Sequence, residues 1–105
     1  MIIPHIPKIH RTTIVNRISN IFLDIIETSY NAYYTTGTTK IEKITYIMTR
    51  LDSMKFLILI SWENKLIQNK QYENLAKELH EIGMMLNGWK KSSEAKLSQT
   101  KTRPI

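Results

Sequence analysis

Three blocks of apolar residues recur at spacings of three and four, and almost no glycine or proline interrupts them. That pattern places each block on one face of a 3.6-residue helix. The first block runs Ile14, Ile18, Ile21, Phe22, Ile25, Ile26, Tyr30 and Tyr33, with Arg17, Asn20, Asp24, Glu27 and Asn31 between them. Isoleucine suits strands, but a helical period held over some twenty residues outweighs residue propensity. The second block is Ile41, Ile44, Ile47, Met48, Leu51, Met54, Ile58 and Trp62. The third is Tyr72, Leu75, Ala76, Leu79, Ile82, Gly83 and Leu86, with Trp89 at its edge.

Punctuation between the blocks sets the expected boundaries. Pro4 and Pro7 disfavour helix and make residues 1–11 an extended lead-in. Gly37, inside Thr35-Thr36-Gly37-Thr38-Thr39, is a candidate left-handed stop for the first helix. Thr39-Lys40-Ile41-Glu42 fits a capping box, and Asn69 is a candidate cap for the third helix. The expected helices span about 12–35, 40–66 and 70–91, and residues 92–105 read as a basic disordered tail. Short connections between helices of matched length predict an all-α, antiparallel up-and-down bundle of three long helices in one domain, residues 12–91.

The second helix is apolar on more than one side. Phe56 and Ile60 point roughly opposite Leu51 and Ile58 at about 100° per residue, so a second contact surface is expected there. Gly83, on the apolar face of the third helix, reads as a point of close helix approach, because glycine there costs about 1 kcal/mol against alanine.

Charge bears on partners. The 105 residues carry 15 Lys+Arg and 9 Asp+Glu, a formal +6. A pI near 9.7 is a footprint of nucleic-acid binding. From Lys90 onward five basic residues (Lys90, Lys91, Lys96, Lys101, Arg103) face one acid, Glu94. Such an end attracts phosphate or serves solubility alone.

Chemistry is sparse. Without cysteine there is neither disulfide nor thiolate metal site. His5, His10 and His80 form no metal-ligand spacing. No P-loop, dinucleotide fingerprint or activated serine is present. Asp24 with Glu27, and Glu78 with Glu81, read as solvated faces. No catalytic residue, metal or cofactor is therefore expected, and the chain reads as a binding protein. The longest apolar run, Phe56 to Ile60, is far short of the roughly 20 residues of a membrane span. With no leader pattern, a cytoplasmic location is expected. Most aromatics fall on the stripes and read as core. Tyr34 and Trp89 are the exceptions, Trp89 because it abuts Lys90-Lys91 and could stack a base.

The segment Lys70-Gln71-Tyr72-Glu73 followed by Glu81-Ile82-Gly83-Met84-Met85-Leu86-Asn87-Gly88-Trp89 resembles the end of the accessory variability determinant (Avd) family of diversity-generating retroelements. That family typically reads E-[IV]-G-x-[ML]-L-G-G/S-W there, and Asn87 replaces a usual glycine. Leu51-Asp52-Ser53-Met54-Lys55-Phe56 is similar to the family's L-x-x-L-[KR]-F. Ile6-Pro7-Lys8 and Asn16-Arg17-Ile18 resemble its P-[KR] turn and the helix that follows.

The resemblance implies a four-helix bundle, a homopentamer with a basic surface, and a non-catalytic accessory role in mutagenic retrohoming. It implies binding of the element's reverse transcriptase and of RNA or DNA, with no membrane partner. By this resemblance and by charge, Lys8, Arg11, Arg17, Lys55, Lys90, Lys91, Lys96, Lys101 and Arg103 are the candidate nucleic-acid contacts. Phe56, Ile60 and Trp89 are the candidate oligomer or partner interface. Lys55, near the edge of its apolar stripe, equally reads as a snorkelling structural lysine. The family has a helix before the P-[KR] turn, where this chain has only Met1 to His5. Either that helix is lost, or the start lies upstream, or a partner supplies the packing. Two other readings remain open at this point: a stand-alone RNA-binding bundle similar to proteins encoded in ribosomal RNA intervening sequences, and a purely structural oligomer.

Overall fold

A computed structural model describes residues 11–102, with side chains through Gln99. They form three helices, α1 (Arg11–Tyr33), α2 (Gly37–Glu63) and α3 (Asn69–Thr102). The connections are residues 34–36 and 64–68, so successive helices run antiparallel.

Each junction has an identifiable cause. Thr35 closes α1: its backbone N–H donates to the Ala32 carbonyl at 3.1 Å, and its hydroxyl donates to the Asn31 carbonyl at 2.6 Å. Gly37 takes a φ of 69°, a left-handed conformation that costs glycine nothing. It does so as the first residue of α2, three residues before the expected start. The cap position is Thr36, which makes no side-chain capping bond. The Thr39–Glu42 capping box therefore falls inside the helix.

α2 ends at Glu63 rather than near Leu66. Its last carbonyls are taken by Leu66, whose N–H donates to Ser61 at 2.8 Å, and Lys65, whose N–H donates to Trp62 at 3.0 Å. This paired closure needs a left-handed residue just past the end, and Lys65 fills that place with a φ of 60°.

The cap of α3 is Gln68, one residue before the expected Asn69. The Gln68 N–H donates to Gln71 Oε1 at 2.9 Å, the side-chain-to-cap half of a capping box. Asn69 is occupied otherwise: its Oδ1 accepts from the Trp62 indole at 2.7 Å. Trp62 in turn stacks on Tyr72, with ring centroids 4.6 Å apart. This pins the α2–α3 corner.

α3 continues to Thr102, through the stretch expected to be disordered. The stripe persists there in a less apolar form. Ser93 is buried and Leu97 half-buried, at i+4 and i+8 from Trp89, and no glycine or proline follows Gly88 until Pro104.

α2 lies in the middle. α1 and α3 each pack against it, and no Cα of α1 approaches one of α3 within 8 Å. The core joins Ile21 of α1, Ile47, Leu51, Met54 and Ile58 of α2, and Leu79 and Leu86 of α3. The breadth of apolar surface on α2 is thus used largely inside the chain. Ile60 is buried, whereas Phe56 stays exposed. Between α1 and α3 the bundle is open. A trough there, with a cavity of about 370 Å³, has Met54, Ile58 and Ser61 of α2 along its floor. Val15, Ile18 and Phe22 of α1 form one wall and Leu75, Glu78 and Ile82 of α3 the other.

α1 is tied to α2 by a polar knot. Asp24 accepts hydrogen bonds from the Tyr46 hydroxyl and, at 2.9 Å, from Arg50 Nε. The Tyr46 hydrogen bond, with the Arg50 charge, holds the Asp24 carboxyl below its ordinary value, and the same hydrogen bond pushes the Tyr46 phenol up.

Candidate nucleic-acid interface

Charge is distributed unevenly along the bundle. Residues 11–29 and 44–88 together hold seven basic and seven acidic side chains, a net charge of zero. Residues 30–43 and 89–99 hold five lysines (Lys40, Lys43, Lys90, Lys91, Lys96) against Glu42 and Glu94, a net +3. The antiparallel fold brings those two segments to one end. The Lys40 ammonium lies 5.6 Å from the Trp89 ring centroid. A cavity of about 410 Å³ is lined by Thr36, Gly37 and Lys40 from the start of α2 and by Ser93, Lys96 and Leu97 from α3. The positive excess of residues 11–99 is therefore concentrated where α1 ends, α2 begins and α3 runs on.

The expected contact residues divide accordingly. Lys90, half-buried, and Lys91 and Lys96, exposed, lie on the basic end. Lys101 belongs to the last turn of α3. Arg11 and Arg17 are exposed on the first turns of α1, at the opposite end, and Arg11 reaches the mouth of the apolar trough. Lys55 is half-buried on α2 against α3, with its ammonium 3.5 Å from where a Cβ on Gly83 would lie. That position fits the snorkelling reading, in which the stem covers apolar surface. Lys8 and Arg103 lie outside the described residues.

Trp89 is half-buried against the core, and Lys40 occupies one of its faces. Its ring serves the α2–α3 contact, which leaves little of it for a base. Tyr34, the other aromatic singled out, is exposed.

The same end carries, beside Tyr34, two side chains that the stripe reading assigned to the core, Tyr30 and Tyr33. Tyr30, Tyr33 and Tyr34 are 66%, 69% and 69% exposed. The reason is geometric. α1 has one neighbour, so only the strip Ile14, Ile18, Ile21, Ile25 and Ala32 turns inward; about 100° around the helix, Val15, Phe22, Ile26 and Tyr33 form a second strip that nothing covers. The uncommon breadth of the α1 stripe was the available signal for this.

Among the described residues no group of three or more His, Asp or Glu could hold a metal ion. Nor is any helix among the described residues long and apolar enough to cross a membrane. What the arrangement offers is a pair of candidate surfaces: a basic, aromatic end and an apolar trough.

The bAvd-like family model matches residues 1–93, which take in α1, α2 and most of α3. That family comprises accessory, non-catalytic proteins of diversity-generating retroelements. No protein of curated function and no solved structure matches the chain.

Proposed function

The chain belongs to the bAvd-like family, and from that membership we propose that it binds its element's reverse transcriptase and nucleic acid together, in support of mutagenic retrohoming. The observation that carries the nucleic-acid half is the segregated charge, with a net +3 at one end and zero across the rest of residues 11–99. Clustered lysines bind phosphates by releasing counterions, whereas lysines interspersed with acids do so weakly. Lys90, Lys91 and Lys96 are the contacts this reading places first, and Lys101 and Arg103 extend the same basic run. Arg11, Arg17 and Lys55, each remote from it, are secondary.

The apolar trough carries the protein half. Its walls leave Val15 and Phe22 about half exposed, with Leu75 and Ile82 more than a third exposed, and contiguous apolar surface of this kind marks protein interaction sites. We assign it to a protein partner: the polymerase, or another copy of the chain in a homo-oligomer such as the pentamer implied by the family. In this reading the chain supplies binding surfaces and the chemistry falls to the polymerase.

The test is the mass of the purified chain with and without the reverse transcriptase of a diversity-generating retroelement. The expected result is an oligomer that co-purifies with the polymerase at low salt. A monomer that fails to capture the polymerase would refute the accessory reading.

A further inference from the structure

We propose that the basic end is a stacking platform for single-stranded nucleic acid, on which Tyr30, Tyr33 and Tyr34 hold unpaired bases while the neighbouring lysines hold the phosphates. This deepens the nucleic-acid reading above and rests on it.

Three observations meet here. The first is the tyrosine cluster. Tyr34 lies 5.0 Å from Tyr30, tilted by 56°, and 5.0 Å from Tyr33, edge to face at 81°. The rings brace one another at differing inclinations while each stays about two-thirds exposed. None of the three belongs to the core or to the residues packed against it. The second is position. Tyr34 is two residues from Thr36, which lines the cavity shared by Lys40 and Lys96. The third is sign: Asn31 to Ile41 contains no acid, and the nearest ones in sequence are Glu27 and Glu42.

Rings and cations together distinguish the kind of nucleic acid. In a duplex the base faces are already stacked and hidden, so exposed aromatic rings gain nothing there. An unpaired strand presents a π-face at every base, and a positive groove beside aromatic rings is the arrangement that binds it without sequence preference. Lysines without rings would hold either form. Rings without lysines would serve a protein contact equally well.

The experiment uses the full chain and fluorescently labelled oligouridylate of about a dozen nucleotides, within the usual span of such sites, alongside a duplex of equal length. Anisotropy titrations compare wild type with Tyr30→Ser, Tyr33→Ser and Tyr34→Ser, with the three Tyr→Phe changes, and with Lys90→Gln/Lys91→Gln. Because the tyrosines are exposed, far-UV circular dichroism should stay unchanged in every variant.

The expected result is tighter binding of the single strand than of the duplex. Each Tyr→Ser change at a stacking position should weaken it about fivefold or more, Tyr→Phe should retain it, and duplex binding should not respond. The tyrosine variants should keep the salt slope, and the double lysine variant should lower it by roughly 0.7 per lost phosphate contact. Single-strand binding that ignores the tyrosines, or a preference for duplex, overturns the platform and leaves the broader nucleic-acid reading standing. A change in oligomeric mass on Tyr→Ser, with oligouridylate binding unaltered, overturns it in favour of a protein contact. No binding to either probe removes both.

Discussion

Two glycines in α3 give the sharpest test of how its packing has been read. Gly83 and Gly88 both lie inside a continuous helix, Asn69–Thr102. Glycine in a helix interior is less favourable than alanine by about 0.8–1.0 kcal/mol, chiefly through backbone entropy. A buried glycine usually offsets that cost by admitting a neighbour where a methyl would collide, and the apolar stripe suggests this role for Gly83. The geometry assigns it less. A Cβ at Gly83 would lie 3.5 Å from Lys55 Nζ and 3.6 Å from Leu51 Cδ2. Both are ordinary van der Waals separations, and the closer atom is the end of a flexible side chain. At Gly88 a Cβ meets nothing within 4 Å.

Alanine at either position should therefore stabilise the chain by about 1 kcal/mol, which raises the melting temperature by roughly 4–8 °C in a domain of this size. The two sites are five residues apart and about 140° around the helix, so the double variant should gain close to the sum. The assay is thermal unfolding followed by far-UV circular dichroism at one fixed protein concentration, because self-association would make the midpoint concentration-dependent. Gly88→Ala is the internal reference for the backbone term. A Gly83→Ala midpoint below wild type, with Gly88→Ala above it, would refute the reasoning. It would mean that something approaches Gly83 more closely than Leu51 and Lys55 do.

Two further outcomes follow from single contacts. The Asp24 carboxyl is held below 3.8 by Tyr46 and Arg50, so its stabilisation is complete above about pH 4 and fades as pH falls through the depressed value. Tyr46 is raised above 10.0, so its share is complete below pH 10 and is lost as pH rises past that. Urea midpoints of wild type and Asp24→Asn should thus converge toward pH 3; a constant gap from pH 7 to pH 3 would contradict this. Lys65→Gly should stabilise by roughly 0.5–1 kcal/mol, because a left-handed residue with a side chain costs about 1–2 kcal/mol and glycine returns part of that in the unfolded chain. An unchanged or lower urea midpoint would count against it.

The helices were legible because α1, α2 and the first half of α3 keep a strong apolar period. The end of α3 was not, since its inward positions beyond Trp89 are Ser93 and Leu97 and a serine gives no hydrophobic signal. Cap positions slipped by one to three residues for a related reason. Asn69 and Thr39 are good cap residues, but Asn69 is engaged by Trp62 and α2 already begins at Gly37, which puts Thr39 inside the helix. Nothing in a lysine announces the left-handed conformation of Lys65. The basic end was half legible. Its lysines at 90, 91 and 96 stood out as a run, whereas their union with Lys40 and the tyrosines depends on the antiparallel return. The stripe of α1 also hid Tyr30 and Tyr33, because a period shows that residues share a side of a helix and not whether any neighbour covers it.

That last point bears on how the two proposed surfaces relate. α2 is covered on both flanks, so the bundle's surfaces for partners fall mainly on α1 and α3. The uncovered strip of α1 runs from Val15 and Phe22 at the trough to Tyr33 at the basic end, so one helix connects both sites. Tyr33 lies on that strip, whereas Tyr30 lies roughly 60° further around the helix and Tyr34 just past its end. A partner seated in the trough would therefore reach Tyr33 before Tyr30 or Tyr34. Under the two proposals together, polymerase docking should protect the Val15–Phe22 strip and leave the Tyr30–Tyr34 pair open to a strand. Competition between polymerase and oligouridylate would instead place both partners on the same face of α1.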